Sequence, residues 1–471
     1  MVFSSTLFIF LFLPAVLLTY YISPRKIRNG ILLVFSLLFY SWGEPVYILI
    51  MLFSTVFDYM NGILIRRLKD RKKNRQAKAV MINSVIINLG ILCFFKYSNF
   101  FIGNINALFH TGFAFLDITL PIGISFYTFQ TMSYTIDIYR GDAEAQKNII
   151  DFGAYVTMFP QLVAGPIVQY KDIAVQLNSR AETIDGFTYG IKRFIIGLAK
   201  KVILANNIGL LWEQISRGNL GALSVSTAWL GAIAFSFQIY FDFSGYSDMA
   251  IGLGEMFGFH FRENFNLPYR SKSITEFWRR WHISLGTWFR EYVYIPLGGS
   301  RKGTARLVLN LLIVWSLTGF WHGSSWNFIF WGLYFGVLLI VEKLFLLKTL
   351  EKAPSWFRHI YALVFVVFSW MIFAFDDITK VGLYLKAMLG FNHTGILSTD
   401  TLYYFSSNIL LLVACAVCSV GIWKGIKTPE RITTHQGLLH TTKILVFSAM
   451  FLVSVCFLIG DTYNPFLYFR F

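Results

Sequence analysis

The chain alternates long apolar runs with short polar segments over its whole length. Apolar runs of about 18 to 22 residues recur, and a helix of that length crosses roughly 30 Å of hydrocarbon. The pattern predicts an all-α polytopic membrane protein that forms a single integral membrane domain, residues 1–471, without a separate soluble domain. The principal predicted spans are at about 7–22, 31–42, 46–65, 80–95, 308–317 and 444–459, with a polar interruption at 96–104.

Two of the apolar segments contain polar or helix-breaking residues. Residues 121–140 are rich in Ser, Thr, Tyr and Gln, which either hydrogen-bond neighbouring helices or line a polar cavity. Residues 158–168 contain two prolines and a glycine, so a single regular helix is not expected there. Irregular backbone at membrane depth must be satisfied by protein or by a water-filled cavity.

A third apolar run, at 235–257, contains three acidic residues, Asp242, Asp248 and Glu255. Carboxylates in such a run either line a cavity or pair with arginine or lysine, and the sequence leaves both interpretations open. Upstream, residues 190–203 combine apolar positions with four basic ones. This pattern predicts a helix that lies on the cytoplasmic surface.

Residues 264–306 have a different character, with closely spaced tryptophans and arginines. Thr275 is in position to cap one amphipathic helix whose apolar stripe extends to Tyr292, in an interfacial or re-entrant placement. Its arginines either anchor a surface helix or bind a coenzyme A thioester, because guanidinium groups bind phosphates and tryptophan offers a flat surface for adenine. The residues assigned to donor binding are Trp278, Arg279, Arg280, Trp281, Trp288 and Arg290.

The first candidate for the chemistry is His322, within the otherwise apolar segment 318–327. An ionisable side chain at membrane depth is costly to keep, so it usually faces a protein interior or a water-filled path. The alternative is a neutral packing histidine between neighbouring tryptophans. The basic and aromatic segment upstream favours the catalytic interpretation.

Composition and charge agree with a membrane protein. Of 471 residues, 56% are hydrophobic and 14% are charged, which is far from the balance of a soluble domain. The net charge of +16 is concentrated in a loop at 66–78, which the positive-inside rule places in the cytoplasm and which does not indicate nucleic-acid binding. Counting spans from this loop predicts both termini outside.

The first apolar run is predicted to be a retained helix rather than a signal peptide. The cysteines indicate neither a disulfide nor a metal site.

A family resemblance is carried by four strings, FDFSGYSDMAIG, ENFNLPYRSKSITEFWRRWHISL, YVYIPLGG and TGFWHGSSWNFIFWGLY. They closely resemble the membrane-bound O-acyltransferase family, specifically its bacterial branch that O-acetylates exopolysaccharides such as alginate. The opening residues and the string LVAGPIV are similar to it too, so the resemblance covers nearly the whole chain. Gly286 and Glu291 are mild departures, where Ser and Asp are usual.

The resemblance implies a multi-helix core around a central tunnel, with the motifs at about 235–335. It implies that His322 is the catalytic histidine in the tunnel and that His282 is a second histidine near its cytoplasmic end. It further implies acetyl-coenzyme A as the acyl donor, with no permanently bound cofactor. The implied partner is a separate extracytoplasmic transferase, of the SGNH type or similar.

The aromatic tail at 461–471 resembles the short aromatic terminus of this branch, with Arg470 where Gln is expected. An interfacial aromatic belt is the alternative interpretation. We hypothesise that Tyr468 folds back into the outer mouth of the tunnel and is transiently acetylated. A phenol has a pKa of about 10, so its acetyl ester stays activated, unlike the ester of an ordinary alcohol.

The leading functional prediction is an acyltransferase of the bacterial cytoplasmic membrane that moves acetyl from cytoplasmic acetyl-coenzyme A across the membrane for O-acetylation of a surface polysaccharide. The nearest alternative enzyme transfers D-alanine to teichoic acids from a carrier-protein thioester. Two alternatives from other classes are a transporter and a scaffold that only recruits an extracellular enzyme.

Overall fold

The structure is a computed structural model that describes residues 1–162, 165–421, 436–460 and 467. Within those ranges every regular element is a helix. Eight of the helices there are long and apolar enough to cross a membrane. The predicted class, an all-α polytopic membrane protein, is therefore confirmed.

The helices follow one another along the chain with short connections. Those of the first half are α1 (Phe8–Ile22), α2 (Arg28–Ser41), α3 (Ile48–Asp70), α4 (Asn74–Phe109), α5 (Ile124–Arg140), α6 (Ile149–Thr157), α7 (Phe159–Leu162), α8 (Tyr170–Asn178), α9 (Ile184–Ser216) and α10 (Val225–Met256). Those that follow are α11 (Ile274–Arg280), α12 (Ile283–Phe289), α13 (Thr304–His322), α14 (Trp326–Lys352), α15 (Ser355–Ala374), α16 (Ile378–Met388), α17 (Thr399–Val420) and α18 (Gln436–Gly460).

The chain divides into two compact units. The first consists of Met1–Phe194 and Asp248–Arg262, and the second of Ile195–Ser247 and Glu263–Phe471. Two of the three divisions fall inside α9 and α10, and the third follows α10. The single domain expected from the sequence stays a prediction.

In the first unit, α3, α4 and α5 pack around a buried polar cluster. The carboxylate of Asp58 accepts hydrogen bonds from Ser84 Oγ at 2.6 Å and from Asn88 Nδ2 at 2.7 Å. From α5, Thr131 Oγ1 donates to Asn88 Oδ1 at 3.2 Å, and Thr135 Oγ1 lies 3.0 Å from Ser84 Oγ. These polar side chains of α5 therefore connect neighbouring helices, which is the first of the two interpretations of its sequence.

The predicted polar interruption at 96–104 is wrong, because α4 is continuous from Asn74 to Phe109. Its polar side chains are satisfied without breaking the helix. Asn104 Nδ2 donates to the carbonyl of Phe100 one turn earlier, at 2.7 Å, and Lys96 is only 7% exposed. A local side-chain hydrogen bond of this kind is compatible with an intact helix.

The predicted break at 158–168 is confirmed. Helix α6 ends at Thr157, the single turn α7 follows, and the described residues 165–169 are not helical. Pro160 and Pro166 lack a backbone N–H, so a continuous helix would lose hydrogen bonds at both positions.

The second unit contains an aromatic core. Trp281, Trp331 and Trp370 are buried, with ring centroids 4.8 Å apart for Trp281 and Trp370 and 6.3 Å apart for Trp331 and Trp370. Aromatic side chains bury more surface than other residues and prefer tilted or edge-to-face contacts. One ring of this core, that of Trp331, contacts the imidazole of His322 at 5.0 Å between centroids.

The surface helix predicted at 190–203 is wrong in its placement. The helix is part of α9, which is long and apolar enough to span a membrane. Its basic residue Lys201 is 2% exposed and lies 2.6 Å from the carboxylate of Asp242. The buried ion pair explains how a basic residue is accommodated in a helix apolar enough to span a membrane.

Candidate active site

His322 is the last residue of α13. The helix ends there because Gly323 adopts an extended conformation, with φ of −170°, and α14 begins at Trp326. The imidazole therefore lies at the turn between two apolar helices, and the side chain is 4% exposed.

Three aromatic rings surround the imidazole of His322 in edge-to-face contact. The ring centroids of Trp321 and Trp331 are each 5.0 Å from it, at interplanar angles of 80° and 83°, and that of Phe373 is 5.4 Å away at 80°. This geometry is the one that aromatic pairs prefer. The rings fix the plane of the imidazole and shield it from water.

The turn that carries His322 is held by a close approach of α13 and α14. A Cβ atom added at Gly319 would lie 3.2 Å from Gly332 Cα and would meet the carbonyl oxygen of Phe328. Only glycine leaves room for two helix backbones at this distance. The two helices thus position His322 through backbone contact as well as through side chains.

The loop between these helices has its own hydrogen bonds. Ser325 Oγ donates to Asn327 Oδ1, and Asn327 Nδ2 lies 3.4 Å from the carbonyl oxygen of Ile372. The Asn327 amide, in the first turn of α14, therefore connects both this loop and α14 to α15.

His282 lies between α11 and α12 with φ of 45°. A positive φ is uncommon outside glycine and is retained only where surrounding contacts stabilise it. Here Asn264 Oδ1 accepts from Ser284 N at 3.2 Å and from Ser284 Oγ at 2.9 Å, and it lies 3.1 Å from His282 Nδ1. Because Asn264 Oδ1 is an acceptor, His282 Nδ1 carries the hydrogen and donates it.

The neutral form of His282 is favoured by its surroundings. The side chain is 1% exposed, and the ring of Phe243 packs edge-to-face against it at 4.7 Å between centroids. Burial lowers the pKa of the His282 imidazole from its usual value to about 3. In the neutral tautomer with hydrogen on Nδ1, Nε2 is the basic nitrogen.

The indole of Trp321 lies between the two histidines. Its centroid is 6.1 Å from that of His282 and 5.0 Å from that of His322. Residues forty positions apart in sequence are thus connected by a single aromatic side chain. The structure brings His282 and His322 into one aromatic cluster, whereas their catalytic roles stay predictions.

The continuous amphipathic helix predicted after residue 264 is wrong. The segment forms two short helices, α11 and α12, separated at Trp281 and His282. The predicted cap is also wrong, because Ser273 Oγ accepts from Glu276 N at 3.0 Å and is the N-cap. The apolar residues of the predicted stripe are buried, but the helix between them is interrupted at His282, where φ is positive.

Glu342 of α14 holds the beginning of α11. Its carboxylate accepts hydrogen bonds from the backbone N–H groups of Ile274 at 2.6 Å and Thr275 at 2.8 Å, and from Thr275 Oγ1 at 2.6 Å. Glu342 is fully buried. A carboxylate at a helix N-terminus satisfies otherwise unpaired donors and stabilises the helix dipole.

The six residues assigned to donor binding differ in their exposure to solvent. Arg279 and Arg290 are exposed, whereas Trp281 and Trp288 are buried at 3% exposure each. Arg280 lies 2.9 Å from the Glu276 carboxylate. Trp278 is half-buried and packs on Trp315 at 4.6 Å between ring centroids. Donor binding by this set stays a prediction.

The acidic residues of α10 are paired with basic residues. Asp242 lies 2.6 Å from Lys201, Asp248 lies 2.6 Å from Arg193, and Glu255 lies 2.9 Å from His260 Nδ1. The structure supports pairing with lysine or arginine for Asp242 and Asp248, whereas the partner of Glu255 is a histidine.

Tyr468 lies outside the described residues. Leu467, which precedes it, is described: its backbone N–H donates to Asp242 Oδ2 at 2.9 Å, and its side chain is 9% exposed.

Sequence reasoning gave no role to Asn264 or Glu342. Asn264 belongs to one of the motif strings, but its contact with His282 depends on how the chain folds back. Glu342 was recognisable as a lone acid after the apolar run 328–341.

In the part of the chain that the structure describes, no group of three or more His, Cys, Asp or Glu side chains is placed to hold a metal ion.

The apolar helices and the site together describe an integral membrane protein in which two buried histidines contact the same indole ring.

The family model of the membrane-bound O-acyltransferases matches residues 145–384. The whole chain is 39% identical to a probable alginate O-acetylase of Azotobacter vinelandii, all of which is covered. It is 34% identical to a peptidoglycan O-acetyltransferase of Helicobacter pylori, over 83% of this chain and 80% of that protein. It is 29% identical to a teichoic acid D-alanyltransferase of Bacillus subtilis, over 54% of this chain and 68% of that protein.

The chain belongs to the membrane-bound O-acyltransferase family. It is a multi-pass membrane enzyme, an O-acyltransferase. The resemblance found in its motifs, including that to the alginate-type branch, is confirmed by these relatives.

Proposed function

We propose that this O-acyltransferase takes acetyl from acetyl-coenzyme A on the cytoplasmic side of a bacterial cytoplasmic membrane and delivers it for O-acetylation of an extracytoplasmic polysaccharide. The names of its relatives, alginate O-acetylase and peptidoglycan O-acetyltransferase, support acetyl as the group and a polysaccharide as the final acceptor. The structural observation that carries the proposal is the buried imidazole of His322 at the α13–α14 turn, oriented by three aromatic rings.

His322 acts as the general base. It accepts the proton of the attacking hydroxyl as that oxygen bonds to the thioester carbonyl carbon, and it returns the proton to the departing thiolate. General base catalysis of this kind contributes about 10² to 10⁴ in rate. A buried base with a fixed ring plane suits the reaction, because the thioester would hydrolyse if water reached the same position.

The attacking hydroxyl is the phenol of Tyr468. The tyrosine Oη–acetyl bond forms, the acetyl–sulfur bond of acetyl-coenzyme A breaks, and coenzyme A leaves as the free thiol. In the second half of the reaction, a hydroxyl of the extracytoplasmic partner attacks the tyrosyl ester and Tyr468 regains its proton. The resulting relay has balanced atoms and needs no cofactor.

His282 has the second catalytic role, in which it accepts a hydrogen bond from the donor. With its Nδ1 hydrogen directed at Asn264, the Nε2 nitrogen accepts a hydrogen bond from an amide of the pantetheine arm of the donor. The exposed guanidinium groups of Arg279 and Arg290, with Arg280, bind the phosphates of coenzyme A. In the same proposal, Trp278, Trp281 and Trp288 provide flat surfaces for the adenine ring.

The proposed orientation follows from charge. The basic loop at 66–78 lies in the cytoplasm, so both termini lie outside, where Tyr468 meets the partner. That partner is a separate transferase of the SGNH type, which passes acetyl on to the polysaccharide.

The test uses purified protein and acetyl-coenzyme A labelled in the acetyl group. We expect release of free coenzyme A and label on Tyr468. His322→Gln should reduce both by about 10² to 10⁴, and Tyr468→Phe should abolish the label because it removes only the hydroxyl. His393→Asn, at an exposed histidine, is the matched control and should retain full activity.

Two outcomes contradict the proposal. If coenzyme A is neither bound nor consumed even with the partner present, acetyl-coenzyme A is not the donor, and a carrier-protein thioester, as in D-alanyl transfer, becomes the leading donor. If polysaccharide acetylation in cells is unchanged by Tyr468→Phe, the tyrosyl relay is wrong while the acetyltransferase proposal survives.

A further inference from the structure

Asp242 is a buried acceptor with two kinds of partner. Its Oδ1 lies 2.6 Å from Lys201 Nζ, and both side chains are 2% exposed. Its Oδ2 accepts the backbone N–H of Leu467, a residue 225 positions later, at 2.9 Å. The side chain of Leu467 is itself buried in the apolar core of the second unit. One residue of the aromatic tail is therefore held through both its backbone and its side chain.

The site that receives Leu467 is built into α9 and α10. A Cβ atom added at Gly245 would lie 2.7 Å from the carbonyl oxygen of Gly197 and 3.1 Å from Lys201 N, so the two backbones approach closely there. Lys201 also lies in a π-helical turn, Lys200–Ala205, inside the longer helix. Such turns are rare, and they occur frequently at functional sites. The close approach and the turn bring the ammonium group to the carboxylate.

Lys201 explains how a carboxylate can serve as an acceptor in an apolar interior. A buried unpaired charge is strongly unfavourable, so Asp242 requires a cation nearby. The ion pair uses one carboxylate oxygen, and the second is directed at the Leu467 N–H. A hydrogen bond to a charged acceptor is stronger than one between neutral groups.

We propose that the Lys201–Asp242 pair is a docking site for the aromatic tail of this chain, and that it positions Tyr468, the residue after Leu467, for acyl transfer. The part of this inference that concerns Tyr468 rests on the proposed function. Docking of Leu467 does not, because it is a property of the protein without donor.

The docking site is connected to the histidine cluster by the next residue of α10. The ring of Phe243 packs on the imidazole of His282, which in turn contacts the indole of Trp321. Asp242 touches neither histidine in these contacts, so it is a positioning residue rather than a catalytic one. A shift of α10 at Asp242 would also move Phe243 against His282.

The test compares two double variants that avoid leaving a buried charge unpaired. Lys201→Met with Asp242→Leu removes both charges and the acceptor. Lys201→Met with Asp242→Asn removes both charges but keeps a carbonyl oxygen that can accept the Leu467 N–H. Replacing both members of a buried pair by neutral groups is tolerated far better than removing one.

The first measurement is hydrogen–deuterium exchange at the Leu467 amide of the purified full-length protein, resolved by fragmentation mass spectrometry. We expect at least about tenfold faster exchange in the Leu variant and a smaller change in the Asn variant. The second measurement is kcat and KM with labelled acetyl-coenzyme A. We expect kcat to fall at least about tenfold in the Leu variant with KM unchanged, and the Asn variant to recover most of the rate.

The matched control is the other ion pair of α10. Arg193→Met with Asp248→Leu removes a pair of the same length, 2.6 Å, in the first unit. The control should leave exchange at Leu467 unchanged. A general loosening of α10 would instead accelerate exchange at Leu467 in the control as well as in the Lys201–Asp242 variants.

Unchanged exchange at Leu467 in the Leu variant would overturn the docking site. Accelerated exchange with unchanged kcat would overturn the positioning of Tyr468. If wild-type protein consumes no acetyl-coenzyme A, the proposed donor fails, yet the exchange measurement still decides whether the tail docks.

Discussion

The imidazole of His322 stands at 83° to the indole of Trp331, with the ring centroids 5.0 Å apart. Trp331 lies on α14, beyond the turn at which His322 ends α13, and is 1% exposed. An edge-to-face pair contributes about 0.5–1.5 kcal/mol beyond the burial of its surface. Trp331 therefore restricts the orientation of the proposed base.

Replacing Trp331 should slow the chemical step. We expect Trp331→Leu to lower kcat by up to about tenfold, because loss of the ring contact lets the imidazole leave its reactive orientation. KM for the donor should change little. Steady-state kinetics of coenzyme A release measure both, and Trp356→Leu, at a tryptophan that is 64% exposed, is the control. An unchanged kcat would show that Trp331 does not orient His322.

The burial of His282 predicts a dependence of stability on pH. Its pKa is lowered from 6.5 to about 3 in the folded protein. Between those values the unfolded chain binds a proton that the folded protein excludes, so the stability contributed by neutral His282 is complete above pH 6.5 and is lost as pH falls toward 3. We expect His282→Asn to flatten the fall of the thermal midpoint between pH 7 and pH 4.

The control for this measurement is His110→Asn. His110 is exposed and also has a positive φ, 52°, so the substitution tests the same backbone conformation without the burial. Asparagine tolerates that conformation well. Equal flattening in both variants would assign the effect to the backbone rather than to the buried imidazole.

Glu342 should stabilise the helix that precedes His282. Glu342→Gln keeps the size of the side chain but removes the charge that accepts the N–H groups of Ile274 and Thr275. We expect a loss of about 1–2 kcal/mol, seen as a lower thermal midpoint in detergent. Glu351→Gln, at an exposed position of α14, should have no effect. If both variants unfold alike, Glu342 does not hold α11.

The close approach of α13 and α14 makes Gly319 intolerant of a larger residue. Gly319→Ala places a Cβ against the carbonyl of Phe328, so the helices must separate, at a cost of about 1–3 kcal/mol. Activity should fall as well, because His322 lies on the same turn of α13. Gly382→Ala is the control, since nothing lies within 4 Å of the added Cβ. A Gly319→Ala protein with wild-type stability and activity would contradict the packing argument.

The sequence predicted the membrane class, the family and some of the spans, because long apolar runs and extended motifs are local properties of the chain. It failed at α4, where polar residues at 96–104 looked like a connection. Asn104 satisfies a carbonyl of its own helix and Lys96 is buried, so nothing interrupts the helix. Local polarity alone does not distinguish these cases.

The acids of α10 show where pattern reasoning leaves alternatives open. Asp242 and Asp248 were recognisable as residues that need partners, but the partner of Asp242, Lys201, was placed on a surface helix. The pair forms because Gly197 and Gly245 let two helices come close, which is a property of both helices together.

The sequence by itself determined that His322 is a histidine in an apolar segment, that a second histidine follows a basic and aromatic segment, and that the chain crosses a membrane. Only the tertiary structure decided that Trp321 connects the two imidazoles and that Asn264 fixes the tautomer of His282 with its hydrogen on Nδ1. It also decided that Leu467 reaches Asp242. The physical reason is that apolar length and helix-breaking residues act within a segment, whereas ring contacts and buried hydrogen bonds join segments whose separation is fixed only when the helices pack.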